Sequence, residues 1–243
     1  MKVVVVIPTY NEASNLPPLL EALWALPVPG LQVLIVDDGS PDGTGRLADE
    51  LASRTPGRLD VLHRRGARGL GLAYVDGFKR ALELGADIIV QMDADFSHSP
   101  ADVPKLVEGL KNANVVIGSR YVPGGSVDSS WGFGRSALSR SANALARTTL
   151  GLKTHDATAG FRAWRRQALE AIDPGRIRSN GYHFQVEMVY ISEKLGLRIA
   201  EAPIYFADRQ VGHSKMSLKV KLDGMVGLLR VWQLHHTIRP PGR

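Results

Sequence analysis

Apolar, β-branched runs alternate with helical patterns through the first half of the chain. The runs are apolar at most positions and do not alternate with polar residues, which is typical of strands covered by helices on both faces of a sheet. Strands and helices in this order predict stacked βαβ units and a mostly parallel sheet. The predicted strands are Val3–Ile7, Leu31–Val36, Leu59–His63, Ile88–Met92 and Val115–Ser119, and the predicted helices are Leu16–Leu26, Thr44–Arg54, Leu72–Leu84 and Asp102–Lys111.

The second half of the chain is less regular. Neither an internal repeat nor a convincing linker divides it, so we predict a single α/β domain whose main part is 1–215, followed by an amphipathic helix and tail at 216–243. The predicted order is a Gly- and Ser-rich loop at Tyr121–Gly134, a helix to about Leu150, a helix near Tyr182–Leu195, a strand at Arg198–Phe206, a polar loop at Asp208–Ser214 and a helix to about His235.

Composition narrows the possible chemistry. The chain has 243 residues and no cysteine, so any metal must be held by oxygen or imidazole ligands. Its net charge of +6 predicts an anionic partner, which can be a nucleic acid, a phosphorylated ligand or a membrane surface. No apolar run approaches the roughly 20 residues that span a bilayer. The run at Val3–Ile7 lacks the features of a signal peptide, so we expect a cytoplasmic protein.

Polar residues follow four of the five predicted strands. In open α/β sheets, ligands bind beyond the carboxyl ends of the strands. Turn formation and helix capping explain any one of these loops, but four together indicate a ligand site. The residues are Pro8-Thr9-Tyr10-Asn11-Glu12, Asp37-Asp38-Gly39-Ser40, Asp93-Ala94-Asp95 and Arg120.

The tripeptide Asp93-Ala94-Asp95 is the most informative of these loops. Two carboxylates at this spacing can both face a hard divalent cation, and Mg²⁺ or Mn²⁺ there would neutralise a nucleotide diphosphate. A capped turn before the helix that Ser99-Pro100 introduces is the alternative. His98 is a further candidate ligand, although a solvated loop histidine is the commoner case.

Basic residues of the second half form another group of candidates. The arginine fork suits bidentate phosphate binding, whereas a solvated basic face is the alternative. The residues are Arg120, Arg135, Arg140, Arg209 and Lys215. Earlier in the chain, Gly66–Gly71 is expected to form a basic loop near phosphate, together with Arg64 and Arg65.

Several common motifs are missing from the sequence. We find no P-loop and no G-x-S-x-G, and six residues separate the G-x-G-x-x-A match at Gly43–Ala48 from its strand. Helix-turn-helix, zinc and aromatic-platform motifs for nucleic acid are missing as well, so we expect no nucleic-acid partner.

Seven stretches of the sequence, taken in their order along the chain, resemble the GT-A nucleotide-sugar glycosyltransferases, specifically the dolichyl- or polyprenyl-phosphate mannose synthases. The first two matching stretches are shared by many sugar transferases, whereas the third together with the later arginines is more specific. The stretches are Val3–Asn15, Val36–Gly43, Gln91–Pro100, Gly118–Tyr121, Ser139–Asn143, Thr158–Arg162 and Asp208–Lys215.

The resemblance implies a GT-A (Rossmann-like) fold and an inverting transfer of mannose from GDP-mannose to a polyprenyl or dolichyl monophosphate, with Mg²⁺ or Mn²⁺ as cofactor. It places Pro8, Tyr10, Glu12, Val36 and Asp38 around the nucleoside, with Ala94 against the nucleotide. It assigns Asp93 and Asp95 to metal binding and catalysis, with Ser97 at the position of a third metal ligand. It assigns catalytic and donor-binding roles at the reacting phosphates to Arg120, Arg209 and Lys215. Arg135 and Ser139 correspond to the site of the acceptor phosphate.

Some alternatives stay open at this point. The donor can be UDP-glucose, because no residue of the sequence is recognisable as a guanine-binding residue. The acceptor can be a hydroxyl group. Some relatives continue into transmembrane helices, whereas here the last helix is basic and amphipathic. It can lie in the membrane interface on the cytoplasmic face or pack against the core, and a separate membrane protein can instead anchor the enzyme. A catalytically inactive scaffold is disfavoured by the intact carboxylate pair.

Overall fold

A computed structural model describes residues 1–208 and 218–240 of the chain. The strands are β1 (Val3–Thr9), β2 (Leu31–Asp37), β3 (Leu59–His63), β4 (Ile88–Gln91), β5 (Val115–Ser119), β6 (Ser126–Val127), β7 (Arg162–Arg165), β8 (Ile199–Pro203) and β9 (Tyr205–Phe206). The helices are α1 (Leu16–Trp24), α2 (Thr44–Arg54), α3 (Leu70–Glu83), α4 (Val103–Gly109), α5 (Phe133–Leu150), α6 (Arg166–Ile172), α7 (Tyr182–Lys194) and α8 (Leu218–His235).

The described strands form a seven-stranded sheet in the order β3-β2-β1-β4-β7-β5-β8, and β6 pairs with β9 in a small second sheet. All pairs in the large sheet are parallel except those of β7, which runs antiparallel between β4 and β5. The predicted mostly parallel sheet flanked by helices is therefore confirmed.

Alternate residues of β1 point into two different cores, which explains why its first five residues are all apolar. Val4 and Val6 pack in the core that includes α3 and α7, whereas Val3 and Val5 pack in the core that includes α1 and α4. Burial on both faces leaves only the strand ends and the connecting loops to carry polar chemistry.

Two parts of the second half differ from the prediction. The predicted strand at 198–206 is split into β8 and β9 after Pro203, and the intervening Ile204 donates its backbone N–H to Ser119 as the chain passes from the large sheet to the small one. Strand β7 and helix α6 were not predicted. Both are short, and an arginine at each end of β7 gives it no apolar signature.

Helix α8 packs against α5 and α7. Leu228, Val231 and His235 are buried, whereas Val226 and Trp232 lie on the exposed side of the helix. The helix thus packs against the core on one side, while its other side is apolar and open to solvent. None of the helices within the described residues is long and apolar enough to cross a bilayer. The predicted division at 215/216 lies outside the described residues and stays a prediction.

Candidate functional site

The loops that follow β2, β1 and β4 lie at one edge of the sheet, because these strands are adjacent and parallel. Arg120 follows β5 and reaches the same edge. Since β7 is antiparallel, it begins where its neighbours end, and this brings the preceding segment 156–161 to the same place. The sequence predicted the first four loops but not this fifth one.

The predicted nucleoside residues come together at the ends of β1 and β2. Pro8 and Val36 are partners in the strand register, and Asp38 and Tyr10 follow them. The side chain of Glu12 accepts a hydrogen bond from the amide of Asn15 at 2.7 Å. Their roles toward a nucleoside stay predictions.

The basic loop after β3 contacts these residues directly. Arg64 forms an ion pair with Asp38, whose second carboxylate oxygen accepts the backbone N–H of Gly69 at 2.8 Å. The guanidinium of Arg68 lies over the ring of Tyr10, 4.8 Å from its centroid, and donates to the tyrosine hydroxyl. In the structure this loop contacts the side chains of Asp38 and Tyr10, and its expected contact with phosphate stays a prediction.

The carboxylate pair after β4 is held by defined hydrogen bonds. Tyr74 donates its hydroxyl to Oδ1 of Asp93 at 2.6 Å. Asp95 Oδ1 accepts the backbone N–H of Ser97 at 3.0 Å and its hydroxyl at 2.6 Å. Burial and the Asp93 carboxylate raise the pKa of Tyr74 well above its ordinary value, so the phenol keeps the proton that it donates. Sequence reasoning missed Tyr74, because an aromatic residue on the apolar face of a helix is typical of a core residue.

His98 is neither a solvated residue nor placed as an extra ligand. It is only 1% exposed, its ring stacks on Phe161 with centroids 5.0 Å apart, and its Nδ1 accepts the backbone N–H of Asp93 at 3.1 Å. Because Nδ1 is an acceptor, the neutral ring carries its proton on Nε2. His98 therefore fixes the backbone of the loop that carries the carboxylates.

The two aspartates fit a hard divalent cation. Carboxylate oxygens suit Mg²⁺ and Mn²⁺, which commonly take one or two protein carboxylates and complete their shell with phosphate and water. Within the described residues, no group of three or more acidic or histidine side chains lies close enough together to hold a metal ion. Gly160 packs closely beside Asp93, since a Cβ there would lie 3.6 Å from Asp93 Oδ2 and 3.3 Å from Gln185 Nε2. The Ser97 hydroxyl donates to Asp95, and its role as a third ligand stays a prediction.

Arg120 is fixed by a buried ion pair with Asp156, a partner that sequence reasoning missed. The guanidinium donates from Nε to Oδ2 at 2.8 Å and from Nη2 to Oδ1 at 2.7 Å. Burial alone would raise the pKa of Asp156, but the hydrogen bonds and charge of Arg120 hold it below its ordinary value. The only signal in the sequence was an acidic residue two positions before the matching stretch Thr158–Arg162.

Arg162 is a second arginine that lies beneath this edge. It is fully buried at the start of β7, opposite Gln91, and its Nη2 donates to the carbonyl of Ala157 at 3.0 Å. Its Nε and Nη1 make no hydrogen bond within the part of the chain that the structure describes. Burial lowers the pKa of Arg162 to about 9, against the opposing effects of Asp156 and Tyr74. A buried arginine thus lies beneath this edge, between the last residue of β4 and the segment that carries Asp156.

The predicted acceptor residues lie on the first turns of α5. Arg135 Nη1 donates to Asp208 Oδ1 at 2.8 Å, and its guanidinium lies 3.9 Å from the ring centroid of Trp131. The hydroxyl of Ser139 accepts from Tyr121 at 2.7 Å. Arg135 and Ser139 are four residues apart on one helix face. The guanidinium of Arg140 lies over the ring of Tyr121, 5.3 Å from its centroid. Arg209 and Lys215 lie outside the described residues, so their roles stay predictions.

Comparisons with known proteins identify the family. The model of glycosyl transferase family 2 matches residues 4–173. The undecaprenyl-phosphate mannosyltransferase of Micrococcus luteus is 47% identical over 234 residues, which cover 96% of this chain and 95% of the relative. The polyprenol monophosphomannose synthase of Mycolicibacterium smegmatis is 46% identical over 217 residues, which cover 89% of this chain and 81% of the relative.

A likeness to solved structures concerns the fold. The glucosyl-3-phosphoglycerate synthase of Mycobacterium tuberculosis, in complex with Mn²⁺, UDP and glucosyl-3-phosphoglycerate, superposes with a TM-score of 0.67 at 19% identity, covering 99% of this chain and 81% of that one.

Proposed function

The chain belongs to glycosyl transferase family 2 and is a glycosyltransferase, and from this premise we propose that it transfers mannose from GDP-mannose to a polyprenyl monophosphate, with inversion, to give a polyprenyl-phosphate β-mannose. The observation that carries the sugar and the acceptor is the identity of 47% across 96% of the chain to a relative named as an undecaprenyl-phosphate mannosyltransferase. The carboxylate pair and the arginines at one sheet edge support the same proposal.

In this proposal Asp93 and Asp95 hold the divalent cation beside the donor diphosphate. When bound, Mg²⁺ or Mn²⁺ supplies the positive charge that stabilises the departing nucleoside diphosphate. Arg120, fixed by Asp156, adds a second positive charge at the same edge. Asp38, Tyr10 and the loop that holds them receive the nucleoside.

The acceptor phosphate needs no catalytic base. A phosphate monoester has a second pKa of about 6, so its oxygen is already an anion near neutral pH. That oxygen attacks the anomeric carbon as the bond to the leaving diphosphate breaks, so an α-linked donor gives a β-linked product. Arg135 and Ser139 hold the acceptor phosphate. Arg135, which is ion-paired with Asp208 in the structure, pairs with the phosphate instead when the acceptor binds. Holding two anionic reactants together is then the main task of the site, with Arg209 and Lys215 assigned to the same task.

We place the protein at the cytoplasmic face of the membrane, bound peripherally, because the proposed acceptor is a lipid. The exposed apolar residues support this placement: Phe133, two residues before Arg135, is 91% exposed, and α8 has an exposed apolar side. A separate membrane protein that anchors the enzyme is the alternative.

A donor and acceptor panel tests the proposal. Purified protein is given radiolabelled GDP-mannose or UDP-glucose, with polyprenyl phosphate or the free polyprenol, in Mg²⁺, Mn²⁺ or EDTA. The lipid phase is then extracted and counted. We expect label only with GDP-mannose, polyprenyl phosphate and a divalent cation, and we expect none from Asp95→Ala. Transfer from UDP-glucose alone would overturn the donor, transfer to the free alcohol would overturn the acceptor, and full activity in EDTA or in Asp95→Ala would overturn the metal role.

A further inference from the structure

The hydroxyl of Tyr74 is a polar group in an otherwise apolar helix face. Tyr74 is fully buried on α3, in the core formed with Phe78 and Phe184. Its only recorded hydrogen bond within the described residues is the one to Oδ1 of Asp93, at 2.6 Å. A phenylalanine would fill the same space, so packing alone does not explain the hydroxyl.

The ring of Tyr74 is held in place by other aromatic rings. It lies parallel to the ring of Phe184, with centroids 5.6 Å apart and an interplanar angle of 4°, and it stacks on Phe78 at 5.8 Å. Ring stacking of this kind favours one orientation over others. The hydroxyl therefore has a fixed position relative to the sheet, and the hydrogen bond transmits that position to the carboxylate.

The carboxylate of Asp93 has two oxygens in different surroundings. Oδ1 accepts the hydroxyl of Tyr74, whereas Oδ2 lies 4.0 Å from Nδ1 of the buried His98 and beside the backbone of Gly160. The Asp93 side chain is 27% exposed. Its backbone is fixed separately, through the N–H donated to His98. Together these contacts fix the orientation of the Asp93 carboxylate at the end of β4.

We propose that Tyr74 is a positioning residue of the metal site, whose hydroxyl holds the Asp93 carboxylate in the orientation that binds a divalent cation. The inference rests on the proposed function only in taking Asp93 as a ligand. Hydrogen-bond partners of metal ligands typically contribute roughly 10- to 100-fold to metal affinity or activity. Tyr74 acts through Asp93 and does not touch the reactants.

The test is Tyr74→Phe, which removes the hydroxyl and keeps the ring. Mn²⁺ binding is measured directly, from the loss of the free Mn²⁺ signal in electron paramagnetic resonance, with and without GDP. We expect the Kd for Mn²⁺ to rise roughly 10- to 100-fold. We expect the melting temperature to change little and kcat to fall more than the KM for the sugar donor changes. An unchanged Kd for Mn²⁺ would overturn the proposal.

Two control variants separate the hydroxyl from packing. Tyr190→Phe removes a hydroxyl from another buried tyrosine, on α7, and should leave Mn²⁺ binding unchanged. Leu20→Ala removes packing from the other core, on α1, without touching the Tyr74 stack, so it should lower the melting temperature but not the affinity for Mn²⁺. If Leu20→Ala weakens Mn²⁺ binding as much as Tyr74→Phe does, loss of packing accounts for the effect and the proposal is wrong.

The outcomes also separate this inference from the proposed function. Wild-type protein that binds Mn²⁺ but transfers no mannose would contradict the function while leaving the Tyr74 comparison intact. Wild-type protein that transfers mannose, with Tyr74→Phe equal to it in Mn²⁺ affinity and in kcat, would contradict only the inference. Wild-type protein that does not bind Mn²⁺ in the presence of GDP would contradict both.

Discussion

The ion pair of Arg120 and Asp156 is the most enclosed charged contact of the candidate site. The two side chains are 8% and 0% exposed, and the carboxylate also accepts the backbone N–H of Arg120 at 3.0 Å. A buried carboxylate with several donors is stable only as long as its partners remain, because an unpaired charge in the interior is costly. The pair therefore fixes the direction in which Arg120 approaches the reactants.

We predict that Asp156→Asn destabilises the fold by about 3–5 kcal/mol, the usual cost of removing one partner from a buried ion pair. Mannose transfer should fall as well, because Arg120 loses its two-point support. Chemical denaturation and steady-state kinetics measure the two effects. Glu170→Gln is the matched control, since it breaks the exposed pair with Arg166, which contributes at most about 0.5 kcal/mol. Equal destabilisation by the two variants would contradict this account.

The same pair gives a pH dependence of known sign. The folded-state pKa of Asp156 lies below its ordinary value of 3.8, so its contribution to stability is present above that pH. The contribution is lost as the pH falls through the lower, folded-state pKa. The free-energy difference between wild type and Asp156→Asn should therefore shrink toward acid pH.

At the scale of single residues, the site residues that follow strands were predicted from the sequence. The residues that hold those side chains in place were missed. Asp38, Asp93 and Arg120 were predicted because each comes directly after an apolar run, where ligands bind in such folds. Tyr74 and Asp156 lie 19 and 36 residues away in the chain from the side chains they hold. Such a partner is defined by the three-dimensional fold, and local spacing carries no sign of it.

At the scale of elements, regular periodic segments were predicted well and short ones were not. The five strands of the first half lie within a residue or two of their predicted ends, because apolar runs of this length are distinctive. Strand β7 has four residues, arginines at both ends and an antiparallel direction. Its neighbours in the sheet define it as a strand, and its own sequence does not.

Helix α8 is joined to α7 by a buried hydrogen bond. His235 Nε2 lies 2.6 Å from Oε1 of Glu187, and both side chains are buried. Glu187 also accepts the backbone N–H of Ser179 at 2.7 Å. The neighbouring Asn180 in turn accepts the backbone N–H of Gly71 at 3.1 Å, at the start of α3. Glu187 thus links helix α8 to the loop at Ser179 and Asn180, which contacts the start of α3.

We predict that His235→Leu loosens α8 selectively. The substitution keeps an apolar side chain in the core but leaves Glu187 with one partner fewer, which typically costs about 1–3 kcal/mol. Hydrogen exchange followed by mass spectrometry should show faster exchange in α8, with little change in α1. His236→Leu, at the adjacent and partly exposed position, is the control and should exchange like wild type. Uniform loss of protection over the whole chain would contradict a local role.

At the scale of the whole molecule, net charge and exposed apolar area favour the same partner. The chain carries +6, and helices α5 and α8 pack together while both leave apolar side chains in solvent. Phe133, Leu229 and Trp232 are the most informative, at 91%, 50% and 45% exposed. Basic proteins with such surfaces bind anionic lipid through burial of apolar groups together with charge attraction.

We predict that the wild-type protein floats with vesicles containing anionic lipid, and that the double variant Phe133→Ser, Trp232→Ser binds them more weakly. Leu72→Ser, at an apolar residue on α3 that is 37% exposed, is the control and should float like wild type. Raising the salt concentration should weaken flotation of all three proteins, because the charge contribution is screened. Wild-type protein that stays with the buffer, or a double variant that floats equally well, would contradict membrane contact through these residues.

Strand β7 also separates the loop that carries Asp93 from the loop that carries Arg120. Adjacent strands lie about 4.8 Å apart, so placing β7 between β4 and β5 holds the loop carrying Asp93 and the loop carrying Arg120 about 10 Å from each other. Without that strand the two loops would be adjacent. In the proposed function, the inserted strand thus keeps the carboxylates that hold the cation and the arginine that faces phosphate a set distance apart, and a donor carrying both a diphosphate and a sugar can lie across that distance.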